Sequence, residues 1–163
     1  MTVSDIVGNA AWEYSVDGCN NWAAGTSNNT FTLDEGTYKI ASIKVRQKDQ
    51  AGNLSAINQS DKDWVIDKTK PLLDLNDVAG DDVVNIQERD GGVLISGKAT
   101  NANEDDAVTI TWNELTLHTT LSSSGQWSLG LNTHQILDDE FLVSLKVVVT
   151  DTAGNVSEEK TKT

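Results

Sequence analysis

The sequence predicts an all-β protein built from two tandem immunoglobulin-like Greek-key β-sandwiches. Segments rich in Val, Ile, Thr and Trp recur about every 8 to 12 residues, separated by clusters of Gly, Asn, Asp and Ser, which is typical of short antiparallel strands. The motif Asp-x-Ala-Gly-Asn occurs at 49–53 and again at 151–155, 102 residues further on. A repeat of this length indicates an array of domains in place of one compact domain.

Seven or eight short strands per unit favour two packed sheets of immunoglobulin type. In the first unit we expect strands at 2–4, 11–15, a short segment after Trp22, 30–33, 38–47 and 54–66. In the second unit we expect strands at 72–75, 83–86, 93–99, 108–112, 115–121, 126–131, 141–150 and 156–163.

Pro71, the only proline, marks the domain boundary because it cannot donate to a strand ladder and holds the chain extended. It follows Asp67-Lys68-Thr69-Lys70, which gives units at 1–67 and 68–163. A short linker with a proline favours a semi-rigid rod. The first unit starts close to its repeat landmarks, so we expect it to lack its N-terminal strand and to have an exposed sheet edge.

The net charge of the chain indicates which kinds of binding partner to expect. Twenty-five acidic residues against 12 basic ones give a net charge of -13, which argues against a nucleic-acid or anionic-lipid partner and favours cations. No run of 18 apolar residues occurs, so we expect no membrane insertion. Cys19 is the only cysteine and forms no disulfide within the chain, so a bound metal is a plausible replacement for that kind of cross-link.

The acidic loops predict where such a metal would bind. Consecutive strands of a sandwich alternate in direction, so the turn at Asp17 and residues 34–35 fall at the end from which the chain leaves the first unit. The loops 101–106 and 151–155 fall at the end where the chain enters the second unit. The acidic loops of both units are therefore expected to converge on the linker. Calcium suits carboxylate and amide oxygens because it takes six to eight oxygen ligands with tolerant geometry.

The candidate calcium ligands are first Asp67, Asp105, Asp106 and Asp151, and then Glu104, Asn103 and Asp34. The alternative is that these loops are solvated turns, since Asp and Asn favour turns through local hydrogen bonds.

Two further acidic clusters are weaker candidates. One consists of Asp81, Asp82, Asn85 and Glu88, for which a turn is as good an explanation as a ligand set, and its spacing excludes an EF-hand. The other, at 138–140, lies at the opposite end of the second unit and would form half of a further junction site.

Five tryptophans raise the alternative of sugar binding, because aromatic faces stack on pyranose rings. We expect core packing instead for Trp12, Trp22, Trp112 and Trp127, and we expect Trp64 to point into the first core. The chain contains no Gly-x-Ser-x-Gly, no His-Glu-x-x-His and no phosphate-binding glycine loop, so we expect no enzymatic activity.

Motifs along the chain resemble the tandem bacterial immunoglobulin-like repeats of large type 1-secreted, RTX-type surface adhesins. The first unit carries Trp-x-Tyr-Ser-x-Asp-Gly-x-x-x-Trp at 12–22, then Glu-Gly-Thr-Tyr at 35–38 and Val-Arg-Gln at 45–47. The second carries Asp-x-Thr-x-Pro at 67–71, Gly-Asp-Asp-Val-Val-Asn at 80–85, Ile-Ser-Gly at 95–97 and Gly-Gln-Trp-Ser at 125–128. Cys19 departs from the pattern, because the family usually has Gly there.

This resemblance implies a structural extender module, stiffened by calcium between domains and supporting adhesion and biofilm formation at the bacterial cell surface. Its partners would be neighbouring immunoglobulin-like repeats of the same chain. The alternative from a different class is a ligand-binding module of such an adhesin, with a glycan or a peptide as the ligand.

Overall fold

A computed structural model of the protein describes residues 1–6, 10–136 and 144–162. The chain forms two compact units, Met1–Asp67 and Lys68–Thr163. Antiparallel strands dominate both, as the sequence predicts. Among the described residues, no helix has the length and apolar character needed to cross a bilayer.

The described part of the first unit has two sheets around a small aromatic core. Its strands are β1 (Ala11–Ser15), β2 (Ala23–Ala24), β3 (Gly36–Tyr38), β4 (Lys44–Lys48), β5 (Asn58–Gln59) and β6 (Trp64–Ile66). One sheet has the order β2-β1-β4-β5 and the other pairs β3 with β6. Trp12, Phe31, Leu33 and Ile43 are buried, and the Tyr14 ring stacks on Phe31 with centroids 4.4 Å apart.

The second unit is a larger sandwich of two sheets. Its elements are β7 (Leu72–Leu75), α1 (Ile86–Gly91), β8 (Val93–Thr100), β9 (Ala107–Trp112), β10 (Leu115–Thr120), β11 (Gln126–Leu131), a 3-10 helix (Thr133–Gln135), β12 (Leu145–Thr150) and β13 (Lys160–Lys162). The sheet orders are β11-β8-β7 and β10-β9-β12-β13, the arrangement of an immunoglobulin-type sandwich. Alternate residues of β8, β9 and β12 point inward, and Ile95, Ile110 and Val147 among them are fully buried.

The sequence repeat corresponds to a structural repeat. Strands β4 and β12 precede the two Asp-x-Ala-Gly-Asn motifs, and each lies in the middle of a four-stranded sheet. The registers match: Ala11 of β1 pairs with Lys48 of β4, and Ala107 of β9 pairs with Thr150 of β12. Strands β5 and β13 occupy the corresponding edges.

Several predicted strands differ from those of the structure. The segment 83–86 is not a strand but leads into α1, because Asn85 caps that helix and accepts hydrogen bonds from the backbone N–H groups of Gln87 and Glu88. The predicted strand 38–47 is divided between β3 and β4 by a turn in which Ala41 has a positive φ of 62°.

Other differences concern the ends of strands. The segment 54–66 contains the short strands β5 and β6, and the segments 2–4 and 30–33 meet in a single bridge between Thr2 and Thr30. The segment 156–163 contains a bridge at Val156 and strand β13. Strand β12 begins at Leu145, and residues 141–143 of its predicted extent lie outside the described residues.

The tryptophans divide between core and sheet surface. Trp12, Trp112 and Trp127 are buried, and Trp64 packs against the first core, as predicted. Trp22 differs, because it lies outside the core, with the Arg46 guanidinium 3.9 Å from its ring centroid. Arg46 in turn contacts the Glu13 carboxylate on the neighbouring strand at 2.7 Å. A cation–π contact and an ion pair therefore hold Trp22 on the sheet surface.

Two of the core tryptophans pack on glycines. A Cβ atom at Gly25 would overlap the Trp12 ring, and one at Gly97 would overlap the Asp74 carbonyl oxygen and the Trp127 ring. These close approaches are possible only because glycine has no side chain. The close approach at Gly97 explains why the Ile-Ser-Gly segment of strand β8 has a glycine at this position.

Gly97→Ala should lower the free energy of unfolding of the second unit by about 3 kcal/mol, since neither the backbone carbonyl nor the packed indole can move aside cheaply. The matched control is Gly130→Ala on β11, where a Cβ would meet nothing within 4 Å, and we expect a change within about 0.5 kcal/mol. Urea unfolding measures both. Equal losses for the two variants would contradict the packing described for Trp127.

Candidate functional site

The second Asp-x-Ala-Gly-Asn motif forms a turn closed by its own side chains. One carboxylate oxygen of Asp151 accepts from the Asn155 backbone N–H at 2.8 Å, and the other accepts from the Asn155 side-chain amide at 2.9 Å. Gly154 has a φ of 92°, a conformation that favours glycine. The backbone N–H of Asp151 donates to the Asn155 carbonyl at 3.0 Å. The motif therefore specifies a turn directly.

The first motif makes the same contacts. The Asp49 carboxylate accepts from the backbone N–H and the side-chain amide of Asn53, both at 2.8 Å, and Gly52 has a φ of 93°. A serine two residues after each asparagine completes the pattern. The Ser55 hydroxyl accepts from the Gln47 backbone N–H at 2.9 Å, and in the second unit Ser157 accepts from the corresponding position of β12. The serine at 55 and 157 therefore extends the sequence repeat beyond Asp-x-Ala-Gly-Asn.

A third turn uses the same device. Asp17 accepts from the Asn21 backbone N–H at 3.0 Å and the Asn21 amide at 2.7 Å, and also from the Ser15 hydroxyl at 2.8 Å. Hydrogen bonds from Asn21 and Ser15 lower the pKa of Asp17 to about 2. Cys19 lies within this turn with a φ of 90°, a conformation that favours glycine.

The pKa values of the other two turn aspartates are shifted in the same direction. The hydrogen bonds from the Asn53 side chain and backbone lower the pKa of Asp49, and the Asn155 side-chain amide lowers the pKa of Asp151. Because these pKa values are depressed in the folded state, the stabilisation is present above the pKa of an unfolded aspartate. It is lost as the pH falls through the folded value.

Asp106 joins two loops of the second unit. The residue is only 2% exposed, and one carboxylate oxygen accepts from the Thr152 backbone N–H at 3.0 Å and from the Thr152 hydroxyl at 2.9 Å. The other oxygen accepts from the Asn103 backbone N–H at 2.6 Å. The loops 101–106 and 151–155 thus meet at one end of the unit, where the alternation of strands had placed them.

The remaining candidate ligands are exposed. Glu104 and Asp105 lie at the surface of the 101–106 loop, and their carboxylates make no hydrogen bond with the described residues. Asp105 has a φ of 68°, and its backbone N–H donates to the Leu121 carbonyl. In the first unit, Asp34 is exposed and its carbonyl accepts from the Tyr38 hydroxyl, while Asp67 is exposed beyond β6.

The oxygen atoms of the candidate ligands suit calcium chemically. Some of these oxygens already accept hydrogen bonds within the protein, whereas others do not. The carboxylates of Asp106 and Asp151 already hold loops together, whereas those of Glu104 and Asp105 are open to solvent. Over residues 1–6, 10–136 and 144–162, no group of three or more His, Cys, Asp or Glu side chains is placed to hold a metal ion. Among the candidate ligands of the second unit, Glu104 and Asp105 therefore carry the open carboxylates.

The cluster at 81–88 serves local structure. Asn85 and Glu88 form the capping box of α1, and Asp81 accepts from the Val83 backbone N–H. Asp82 contacts the Lys162 ammonium at 2.6 Å, and hydrogen bonding from that group lowers the pKa of Asp82. These residues thus cap a helix and join the 77–82 loop to β13. The acidic residues 138–140 lie outside the described residues.

No protein-family model and no curated protein matches the chain. Among solved structures, the chain is similar to a bacterial immunoglobulin-like domain from the ice-binding adhesin of M. primoryensis, with 33% identity and a TM-score of 0.44. This match covers 57% of this chain and 91% of that one. A second structure, which concerns host cell surface retention of a 1.5-MDa bacterial ice-binding adhesin, has 22% identity and a TM-score of 0.49. The match covers 98% of this chain and 53% of that one.

A third, a Ca²⁺-stabilized adhesin that helps an Antarctic bacterium reach out and bind ice, has 24% identity and a TM-score of 0.45, with coverage of 98% of this chain and 40% of that one. The chain spans about half or less of these two longer structures. The solved neighbours are immunoglobulin-like domains and repeats of large adhesins, the class that the sequence motifs resemble, and not enzymes.

Asp106→Ala should lower the free energy of unfolding of the second unit by about 3 kcal/mol, because it leaves the Asn103 and Thr152 donors unpaired where the carboxylate was buried. The matched control is Asp105→Asn, a change at the exposed neighbouring residue, for which we expect a change within about 0.5 kcal/mol. Thermal unfolding in chelator measures both. A loss for Asp106→Ala that appears only in calcium would mean that Asp106 acts mainly as a ligand.

Proposed function

We propose that this chain is a structural extender module of a large bacterial cell-surface adhesin. The observation that carries the proposal is the repeat itself, since two sandwiches with separate cores carry the same side-chain-closed turn after the same strand. Only residues 67–71 separate β6 from β7, and Pro71 is buried in the second unit. From this short, proline-containing connection we infer a semi-rigid array.

The proposal places the module on the outside of a bacterium, in a secreted protein that supports adhesion and biofilm formation. Its direct partners are neighbouring immunoglobulin-like repeats of the same chain. The acidic surface would keep such an array soluble and would attract cations. Trp12, Trp112 and Trp127 lie in the cores, so these three offer no stacking face to a glycan.

We further propose that calcium rigidifies the linker. The ligands would come from Asp67, Asp105 and Glu104, whose carboxylates are exposed, with further oxygens from the remaining candidates Asn103, Asp106, Asp151 and Asp34. Bound calcium would neutralise carboxylates that otherwise repel one another. A solved adhesin to which the chain is similar is described as Ca²⁺-stabilized, which supports the proposal.

The two equivalent turns provide a matched pair of variants. Asp151→Ala and Asp49→Ala remove the same hydrogen bonds to an asparagine, so both should weaken their turns, with the larger loss at Asp151 because it is buried and Asp49 is exposed. Asp151 is a candidate ligand and Asp49 is not. Calorimetric titration should therefore show weaker calcium binding for Asp151→Ala alone. A calcium titration unchanged in both variants would remove Asp151 from the ligand set.

Scattering and melting test the proposal as a whole. At one fixed ionic strength, calcium should raise the melting temperature relative to chelator, because it binds the folded state, and should alter the maximum dimension. Each unit should keep its sheets in chelator, since each has its own core. Identical dimensions and identical melting in both conditions would refute calcium rigidification and leave glycan or peptide binding as the stronger hypothesis.

A further inference from the structure

The outer face of the four-stranded sheet in the first unit carries most of that unit's basic residues. Residues 1–67 contain five basic residues against nine acidic ones, and three of the five are Lys44, Arg46 and Lys48 of β4. Alternate residues of a strand point to the same side, so these three side chains share one face, with Cα atoms about 7 Å apart. A row of cations therefore runs along the sheet of a unit that is acidic as a whole.

The register of β1 with β4 shows that this row lies on the solvent side. Trp12 of β1 is buried, so the adjacent Glu13 points away from the core. Glu13 is opposite Arg46, and its carboxylate contacts the guanidinium at 2.7 Å. Glu13 is also the only acidic residue in β1, β2, β4 and β5. Arg46 is therefore neutralised, whereas Lys44 and Lys48 form no ion pair with the described residues.

Trp22 lies on the same face, directly before β2. Its ring centroid is 3.9 Å from the guanidinium carbon of Arg46, and the residue is half-buried. The side chains of Arg46 and Glu13 are only 22% and 26% exposed, so the ring and the ion pair cover one another. The ring is thus held in place before a ligand arrives, which lowers the entropy cost of binding to it.

The acidic residues around this face limit the size of a ligand. Asp17 and Asp49 lie in turns at the two ends of the row, where their carboxylates accept hydrogen bonds from asparagines. Charges further away are screened over about 8 to 10 Å at physiological ionic strength. A small anion can therefore reach Lys44 and Lys48, whereas a long polyanion would also meet the acidic surface of the chain.

The equivalent face of the second unit has different side chains. The pairing of β9 with β10 and β12 matches that of β1 with β2 and β4, so each position on one face has a counterpart on the other. The counterparts of Trp22, Glu13, Arg46 and Lys48 are, in that order, Thr116, Thr109, Val148 and Thr150. The sandwich therefore does not require the ring, the ion pair or the full row of cations, which indicates a role other than folding.

We propose that this face of the first unit binds an acidic oligosaccharide. A sugar ring stacks on the Trp22 indole, and the ammonium groups of Lys44 and Lys48 contact the carboxylates of the sugar. Gln59, opposite Lys44 on the edge strand β5, supplies an amide for the sugar hydroxyls. Charge complementarity selects an anionic ligand, and Trp22 favours a sugar over an acidic peptide because a carboxylate side chain has no ring to stack.

Calorimetric titration of the full chain with three short ligands tests this proposal. The ligands are tetragalacturonate, neutral maltotetraose and a capped tetraglutamate, which has the charge of tetragalacturonate without sugar rings. Tetragalacturonate should bind, and each of the others should bind about tenfold more weakly, a difference of about 1.4 kcal/mol. Chelator is present throughout because this binding does not involve calcium, and a negative result would leave the proposed extender function unaffected.

Variants locate the binding on the chain. The double variant Lys44→Gln with Lys48→Gln should weaken binding of tetragalacturonate about tenfold, and so should Trp22→Ala. The matched control is Lys146→Gln with Lys160→Gln, which removes the same charge from the second unit and should leave binding unchanged. Melting curves establish that each variant is folded, and the lysine pairs remain a test if Trp22→Ala fails to fold.

Four results would overturn the proposal. Equal binding of maltotetraose would indicate a site for neutral sugars, and equal binding of tetraglutamate would indicate a site for acidic peptides. Absence of tetragalacturonate binding would remove the site altogether. An equal loss in the two double lysine variants would show that net charge, and not this face, determines the affinity.

Discussion

The hydrogen bonds between an ionised aspartate and the asparagine four residues later fix the turn that follows the central strand of each unit. Both oxygens of the aspartate are used, one by the backbone and one by the side chain of the asparagine. The turn sets the register in which the chain returns along β4 or β12. It thereby determines which residues of those strands face the core and which loops meet at the end of the sandwich.

Because the turns depend on ionised aspartates, several acidic residues of this chain have a structural role. The chain carries a net charge of -13, yet several of its carboxylates serve as acceptors that organise loops. Asp17, Asp49 and Asp151 close turns, and Asp106 ties one loop to another. A metal at the linker would therefore act on loops that are already organised, and the exposed carboxylates beside them would be its main ligands.

The fold was predictable because its determinants are local and repeated. Strand alternation and the recurrence of Asp-x-Ala-Gly-Asn identify the sandwich class and the central strands. The helix α1 was missed although Asn85 and Glu88 have capping-box spacing, because the flanking Val83, Val84 and Ile86 favour a strand. A local hydrogen-bond signal outweighed β propensity there.

The site was less predictable because it depends on contacts between distant segments. Alternation of strand direction brought the 101–106 and 151–155 loops together correctly, but nothing local to Asp106 indicates that Thr152, 46 residues away, would satisfy its carboxylate. Likewise, Trp22 is held on the sheet surface by Arg46 from another strand, which a search for core aromatics does not reveal. Contacts of this kind join segments that are distant in sequence, and they form only once the strands are paired in the sheet.

A carboxyl-carbon NMR titration of the full chain in chelator tests most directly whether these aspartates belong to the fold itself. We predict a pKa of about 2 for Asp17 and pKa values below the ordinary aspartate range for Asp49 and Asp151, because hydrogen bonds from asparagines stabilise the ionised forms without any metal. Ordinary pKa values in chelator that fall only when calcium is added would show that the carboxylates are organised by the metal and would contradict this account.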